Sequence, residues 1–208
     1  MINTLRRWWY QHQFRHSPYR HLFARYRGSE LVSLDCETTS LDPHRAELVT
    51  IAATRIQGNR ILTSQSIHLT LRAPASLDAG SVAIHRLRHQ DLTQGMEEGP
   101  ALTVLLDFIG NRPLVGYHIR YDKTILDRYF RRHFGFTLPN RTVEVSHLYH
   151  EQLERQLPNA YFDLSLEAIS RHLDLPIPPR HDALQDAIAA AMIYVRLKHG
   201  DLPRPMVP

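Results

Sequence analysis

The chain has 208 residues, 43% of them hydrophobic, 22% charged and 9% aromatic, which is enough to bury one sizeable core and excludes a disordered, collagen-like or coiled-coil chain. Its single cysteine, Cys36, rules out an intrachain disulfide and a thiolate metal cage, and with no apolar run of spanning length and no apolar signal core, a cytoplasmic protein with no membrane partner is expected. The net charge of +4 hides an uneven placement along the chain.

Residues 1–28 hold six arginines and no Asp, Glu or Lys, so the remaining 180 residues carry 25 − 6 = 19 basic against 21 acidic side chains. The arginines alternate with Trp8, Trp9, Tyr10, Phe14, Tyr19, Phe23 and Tyr26. Guanidinium groups with aromatic faces suit phosphates and unstacked bases. Equally, Tyr19, Leu22, Phe23 and Tyr26 at i, i+3, i+4, i+7 would form the apolar face of a helix packed on the domain. Both readings stay open. The segment is set apart as a basic aromatic extension, residues 29–200 as one domain and 201–208 as a tail.

After it, Leu31 to Glu37 reads as a strand, and strands near 47–56 and 60–69 around a Gln57-Gly58-Asn59 turn make a hairpin. Short helical pieces follow Pro74, then a helix over 101–109, a buried strand over 113–118 and a helix over 123–133. A strand over 142–147, a helix over 164–173, a Pro-rich loop and a last helix from about Ala183 to Lys198 complete the chain. Three strands followed by alternating helices and strands predict a single α/β domain with a mixed sheet flanked by helices.

In Leu31-Val32-Ser33-Leu34-Asp35-Cys36-Glu37, strand alternation puts Asp35 and Glu37 on one face and Val32, Leu34 and Cys36 on the other. Two carboxylates side by side repel unless a divalent cation lies between them. Asp122 stands where a strand gives way to a helix, and taken alone it reads as a helix cap. In His181-Asp182-Ala183-Leu184-Gln185-Asp186, Asp182 with Gln185 resembles a capping box, so the helix should begin at Ala183. On one continuous helix His181 and Asp186 would point roughly 140° apart, so His181 belongs in the loop, where it can titrate near neutrality beside a helix-borne carboxylate.

Asp35-Cys36-Glu37-Thr38-Thr39, Gly116 to Asp122, and His181 through Asp186-Ala187 together resemble, in order and spacing, the three motifs of the DEDDh 3′-to-5′ exonucleases. That family includes the proofreading epsilon subunit of bacterial DNA polymerase III, ribonuclease T and oligoribonuclease. The resemblance covers roughly residues 30 to 198. It implies a ribonuclease-H-like fold and two Mg²⁺ or Mn²⁺ ions held by Asp35, Glu37 and Asp186, with Asp122 as the remaining carboxylate and His181 as general base. Thr38 and the stretch Ile84-His85-Arg86-Leu87 would hold the 3′-terminal nucleotide. The implied partner is nucleic acid with a free 3′ end, with a polymerase or a second copy of the chain as candidate protein partners.

Two departures concern substrate preference and no metal ligand: the second motif often reads Gly-His-Asn but here is Gly116-Tyr117-His118, and Arg86 replaces the usual glycine after Ile-His. A zinc site at His12/His16 or His85/His89 is disfavoured because no H-E-x-x-H acid accompanies either pair. A catalytically silent binding module, the competing class, should have lost a carboxylate, and all four are present. Cys36 reads as a core residue rather than a nucleophile.

Overall fold

The computed structural model describes residues 2–177 and 182–200. In chain order the elements are α1 (Ile2–Gln13), β1 (Glu30–Thr38), β2 (Leu48–Gln57), β3 (Arg60–Thr70), α2 (Ala79–His85), α3 (Glu98–Ile109), β4 (Leu114–Gly116), α4 (Ile119–Phe134), β5 (Thr142–Glu144), α5 (Val145–Gln156), α6 (Leu166–His172) and α7 (Ala183–His199), with 3₁₀ turns at Pro18–Phe23 and His89–Leu92. One sheet runs β3-β2-β1-β4-β5: β1, β2 and β3 are antiparallel, and β4 and β5 lie parallel to β1. This is the mixed, helix-flanked sheet expected from the order of apolar runs.

β1 is the central strand, and its two faces serve two layers. Val32 and Leu34 are fully buried in the larger core with Leu102, Leu105 and Phe130, from α3 and α4. The opposite layer is built by α5, α6 and α7 over Val115 and Ile56. α7 meets the sheet through Ala187, Ala190 and Ala191, small side chains that allow a close approach and bring the start of that helix to the end of β1. β4 approaches β1 with similar economy of space. A Cβ on Gly116 would lie 2.8 Å from the Leu34 carbonyl oxygen, so glycine is required there.

Two expectations are corrected. The helical spacing of Tyr19, Leu22, Phe23 and Tyr26 is not realised as an α-helix, because Ser17 caps the backbone of Tyr19 and Pro18 starts a fresh 3₁₀ turn. The longer helix lies upstream, over 2–13. Leu22 and Phe23 are nonetheless fully buried, and Phe14, Tyr19 and Phe23 surround Phe136 with ring centroids 5.3–5.4 Å apart. The strand expected over 142–147 stops at Glu144. Its β-branched run masks a helix whose Val145, Tyr149 and Leu153 share a buried face and whose N-terminus is capped by the Glu144 carboxylate.

Among the described residues, no helix is long and apolar enough to cross a membrane.

Candidate active site

Asp35 and Glu37 stand near the C-terminal end of β1, opposite Ala52 and Thr50, beside a bulge between Glu37 and Thr38. The alternation that buries Val32, Leu34 and Cys36 in the α3/α4 core turns both acids toward α7. There the Asp182 carboxylate accepts hydrogen bonds from the N–H groups of Leu184 and Gln185, both at 3.0 Å, and starts the helix at Ala183 as the sequence predicts. Asp186 falls in the first turn as a result. One ligand oxygen from each of Asp35, Glu37 and Asp186 lies within 4.8 Å of the others, the one such grouping of His, Cys, Asp and Glu side chains among the described residues.

Asp122 is not a cap. α4 begins four residues earlier than its pattern suggests, His118 occupies the N-cap position, and Asp122 falls in the first turn with 2% of its surface exposed. Its carboxylate faces the backbone N–H groups of Cys36 and of Asp122 itself. His118 adopts φ 57°, a left-handed conformation that Asn and His tolerate better than most residues.

The electrostatics follow from packing these acids together. Burial pushes Asp35 well above the usual carboxylate range, and the charges of Asp122, Asp186 and Glu37 push it further. Burial, then Asp186 and Asp182, raise Glu37 to about 7; burial and Asp182 raise Asp186 to about 6. Asp122 is raised by burial, partly offset by its backbone N–H partners. Such a cluster stores repulsion that a divalent cation would relieve, and a donor set made entirely of carboxylate oxygen suits a hard ion. The residues present therefore fit a divalent metal. Cys36, 8% exposed with its thiol pushed up by burial, is a core residue.

The acids form the floor of a cleft of about 1180 Å³. On one wall, the Thr38 hydroxyl lies 2.5 Å from the Tyr121 hydroxyl, and both bond the Ser40 carbonyl. Tyr121, Arg120, His147 and the 85%-exposed Leu41 also line the cleft and were not singled out by sequence reasoning. Neither was Glu144, whose carboxylate accepts from the His118 N–H at 3.0 Å and the Ser146 hydroxyl at 2.9 Å. Its signal is topological: ligand-binding groups gather at the carboxyl ends of parallel strands, and Glu144 ends β5.

The segment expected to hold the 3′ nucleotide is placed differently from the acids. The start of α2, with Asp78, Gly80 and Ser81, lines the cleft. His85 is 4% exposed with Nδ1 accepting from the Leu87 N–H, and Leu87 packs against the small core of Val49, Leu77 and Leu92. The Ile84 side chain and the whole of His181 lie outside the described residues. Arg86 ends α2 at φ 61°, where a glycine would be unstrained. Arg86→Gly is expected to stabilise the protein by about 1 kcal/mol, read as a higher urea midpoint.

Residues 32–194, which contain the whole acidic cluster borne by β1 and α7, match the family described as Exonuclease, of the RNase T type. The chain belongs to this exonuclease family. The DEDDh resemblance read from the motifs agrees with it. Relatives of this exonuclease domain include the DNA polymerase III subunit epsilon of Aquifex aeolicus, 25% identical over 172 residues covering 80% of this chain and 79% of the relative. A PolC-type DNA polymerase III of Thermotoga petrophila is 23% identical over 171 residues, and this chain spans only 12% of its length. In fold, the domain is similar to exonuclease I, with a TM-score of 0.69 at 17% identity over 83% of this chain and 42% of that one.

Proposed function

We propose that this exonuclease removes nucleoside 5′-monophosphates from single-stranded or frayed 3′ ends of DNA, with RNA as the alternative polymer, by metal-dependent hydrolysis. The observation that carries the reading is the convergence of Asp35, Glu37 and Asp186 within 4.8 Å at the floor of an open cleft. These three would hold two Mg²⁺ or Mn²⁺ ions, with Asp122 as the fourth carboxylate. When bound, the ions would supply an activated nucleophile and neutralise charge developing on the scissile phosphate.

The chain's own groups do the rest. His181, one residue before the cap that fixes α7, would take the proton of the attacking water, and the 3′ oxygen of the penultimate nucleotide leaves as the terminal phosphodiester is cut. Thr38, braced by Tyr121, would orient the terminal nucleotide, with the segment from Ile84 to Leu87 behind it. DNA is favoured by the similarity to a polymerase III epsilon subunit and by the fold shared with E. coli exonuclease I, solved with a dT13 oligonucleotide. The epsilon likeness also makes a polymerase a candidate partner, alongside a second copy of the chain.

Purified protein should be tested on matched single-stranded DNA, RNA and a 3′-mismatched duplex, with Mg²⁺ and with Mn²⁺. Mononucleotides should accumulate from the 3′ end, a chelator should abolish the reaction, and a 3′-phosphate should block it. Cleavage of a circular single strand as fast as a linear one would make the protein an endonuclease and overturn the proposal.

A further inference from the structure

The N-terminal segment has an inward and an outward face, and packing explains only the first. Inward, Tyr10, Leu22 and Phe23 belong to the main core. Outward, Trp8 and Trp9 are 65% and 53% exposed on α1, and Arg15, Arg20, Arg25 and Arg27 are exposed as well. No acidic residue occurs among residues 1–28, and among the described residues no ion pair neutralises these arginines. Arg15, Arg20 and His21 line a pocket of about 590 Å³ with Gln11.

The arrangement is built rather than incidental. The Arg7 guanidinium donates to the carbonyls of Phe23 at 2.9 Å and Ala24 at 2.7 Å, and Gln11 donates to the same Phe23 carbonyl. Asn111, from outside the segment, donates to the Ala24 carbonyl at 3.0 Å and pins it to the domain. Arg7 sits near Arg25 and Arg141, and burial together with their charges holds its pKa below the ordinary value. Like charges gathered on a fixed frame are stabilised by an anion, and exposed indoles beside them offer flat surfaces for unstacked bases.

We propose that this outward face is a docking surface for single-stranded nucleic acid, holding the strand on the 5′ side of the nucleotide being removed. The inference rests on the exonuclease reading above and assigns the substrate a second point of contact. The geometry sets its reach. α4 runs from Asp122 in the cleft to Phe134, whose ring meets Tyr19 edge-on, and twelve residues at 1.5 Å make roughly 18 Å. Arg120 lines the cleft, and Arg131, exposed, lies eleven residues on along the same line of that helix. At about 3.4 Å per stacked nucleotide, a strand needs roughly five nucleotides to span the distance. Shorter substrates should not feel the segment.

Trp8 and Trp9 are the only tryptophans of the chain, so indole emission reports this surface alone. The full chain carrying Asp186→Asn, to prevent cleavage, would be titrated with oligothymidylates of about three and about twenty nucleotides, lengths below and above a typical single-strand site. The long strand should quench the emission and the short one should not. Arg15→Gln with Arg20→Gln should flatten the slope of log affinity against log salt by about 1.4, or 0.7 for each lost phosphate contact. Trp8→Ala with Trp9→Ala should weaken binding of a labelled long strand by at least about fivefold per indole. In the otherwise unaltered enzyme, both pairs of substitutions should leave hydrolysis of a small nucleotide ester unchanged.

Cleavage of long strands with no quenching and an unchanged salt slope would overturn the docking surface while leaving the exonuclease intact. Quenching without any 3′ cleavage by the unaltered enzyme would support the surface and remove the exonuclease reading. If the tryptophan pair instead dissolves a dimer in light scattering and leaves strand affinity unchanged, the face is a contact between copies and the inference is wrong.

Discussion

Asp186→Asn is expected to lower turnover on the order of a thousandfold while leaving the folded protein no less stable, whereas Asp182→Ala, four residues away, should do the reverse. Asp186 supplies one of three converging oxygens, and losing a metal ligand removes several kcal/mol of transition-state stabilisation. Asp182 supplies the two hydrogen bonds that start α7, and their loss should cost about 1 kcal/mol. Because the Asp182 charge also raises Glu37 and Asp186, its removal should move the acid limb of the rate profile to lower pH. Steady-state rates and urea unfolding of both variants check the pair. An active Asp186→Asn beside a dead Asp182→Ala would assign the metal to the wrong turn of the helix.

The second expectation concerns pH. In the metal-free protein Glu37 titrates at about 7 and Asp186 at about 6, so a cation must displace protons to enter. Apparent affinity for Mg²⁺ or Mn²⁺ should therefore fall as pH drops below 7, by at least about tenfold per unit, and more steeply below 6, with Asp35, also held above the usual carboxylate range, adding to the loss. Stability runs the other way. Both folded values lie above those of the unfolded chain, so between about pH 4.5 and 7 the folded state binds more protons and the metal-free protein gains stability as pH falls. Glu37→Gln should abolish activity and stabilise the metal-free protein at pH 8 by about 1–3 kcal/mol. Calorimetric metal titrations at three pH values, with thermal unfolding in chelator, test both halves; a flat dependence would mean that the acids stay charged without the ion.

Much of this site was legible because it depends on local rules. Two-residue alternation placed Asp35 and Glu37 on one face of β1, and the Asp182 cap fixed the phase of Asp186. What failed needed long-range information. Asp122 looked like a cap because the residues before it read as strand; the left-handed turn at His118 lets α4 begin at Ile119 and carries that carboxylate under β1. Glu144 and Tyr121 reach the cleft only through the pairing of β5 with β4 and the packing of α4, which no spacing in the chain encodes. The helix over 145–156 was hidden by β-branched residues at its start, where tertiary packing outweighs propensity.

The aromatic cluster around Phe136 also sets where the chain can be cut. The family match begins at residue 32, yet Tyr10, Leu22 and Phe23 share a core with Phe130 and Phe136. Trimming to the family boundary would uncover those phenylalanines, and emptying the sites of Leu22 and Phe23 alone would forfeit roughly 5–10 kcal/mol, comparable to the whole stability of an ordinary domain. Deleting residues 1–27 should therefore yield an insoluble or molten product rather than a smaller enzyme. On that expectation the smallest autonomously folding unit is longer than the stretch the family match spans, and a library of fragments cut at residue 32 would score this exonuclease as dead.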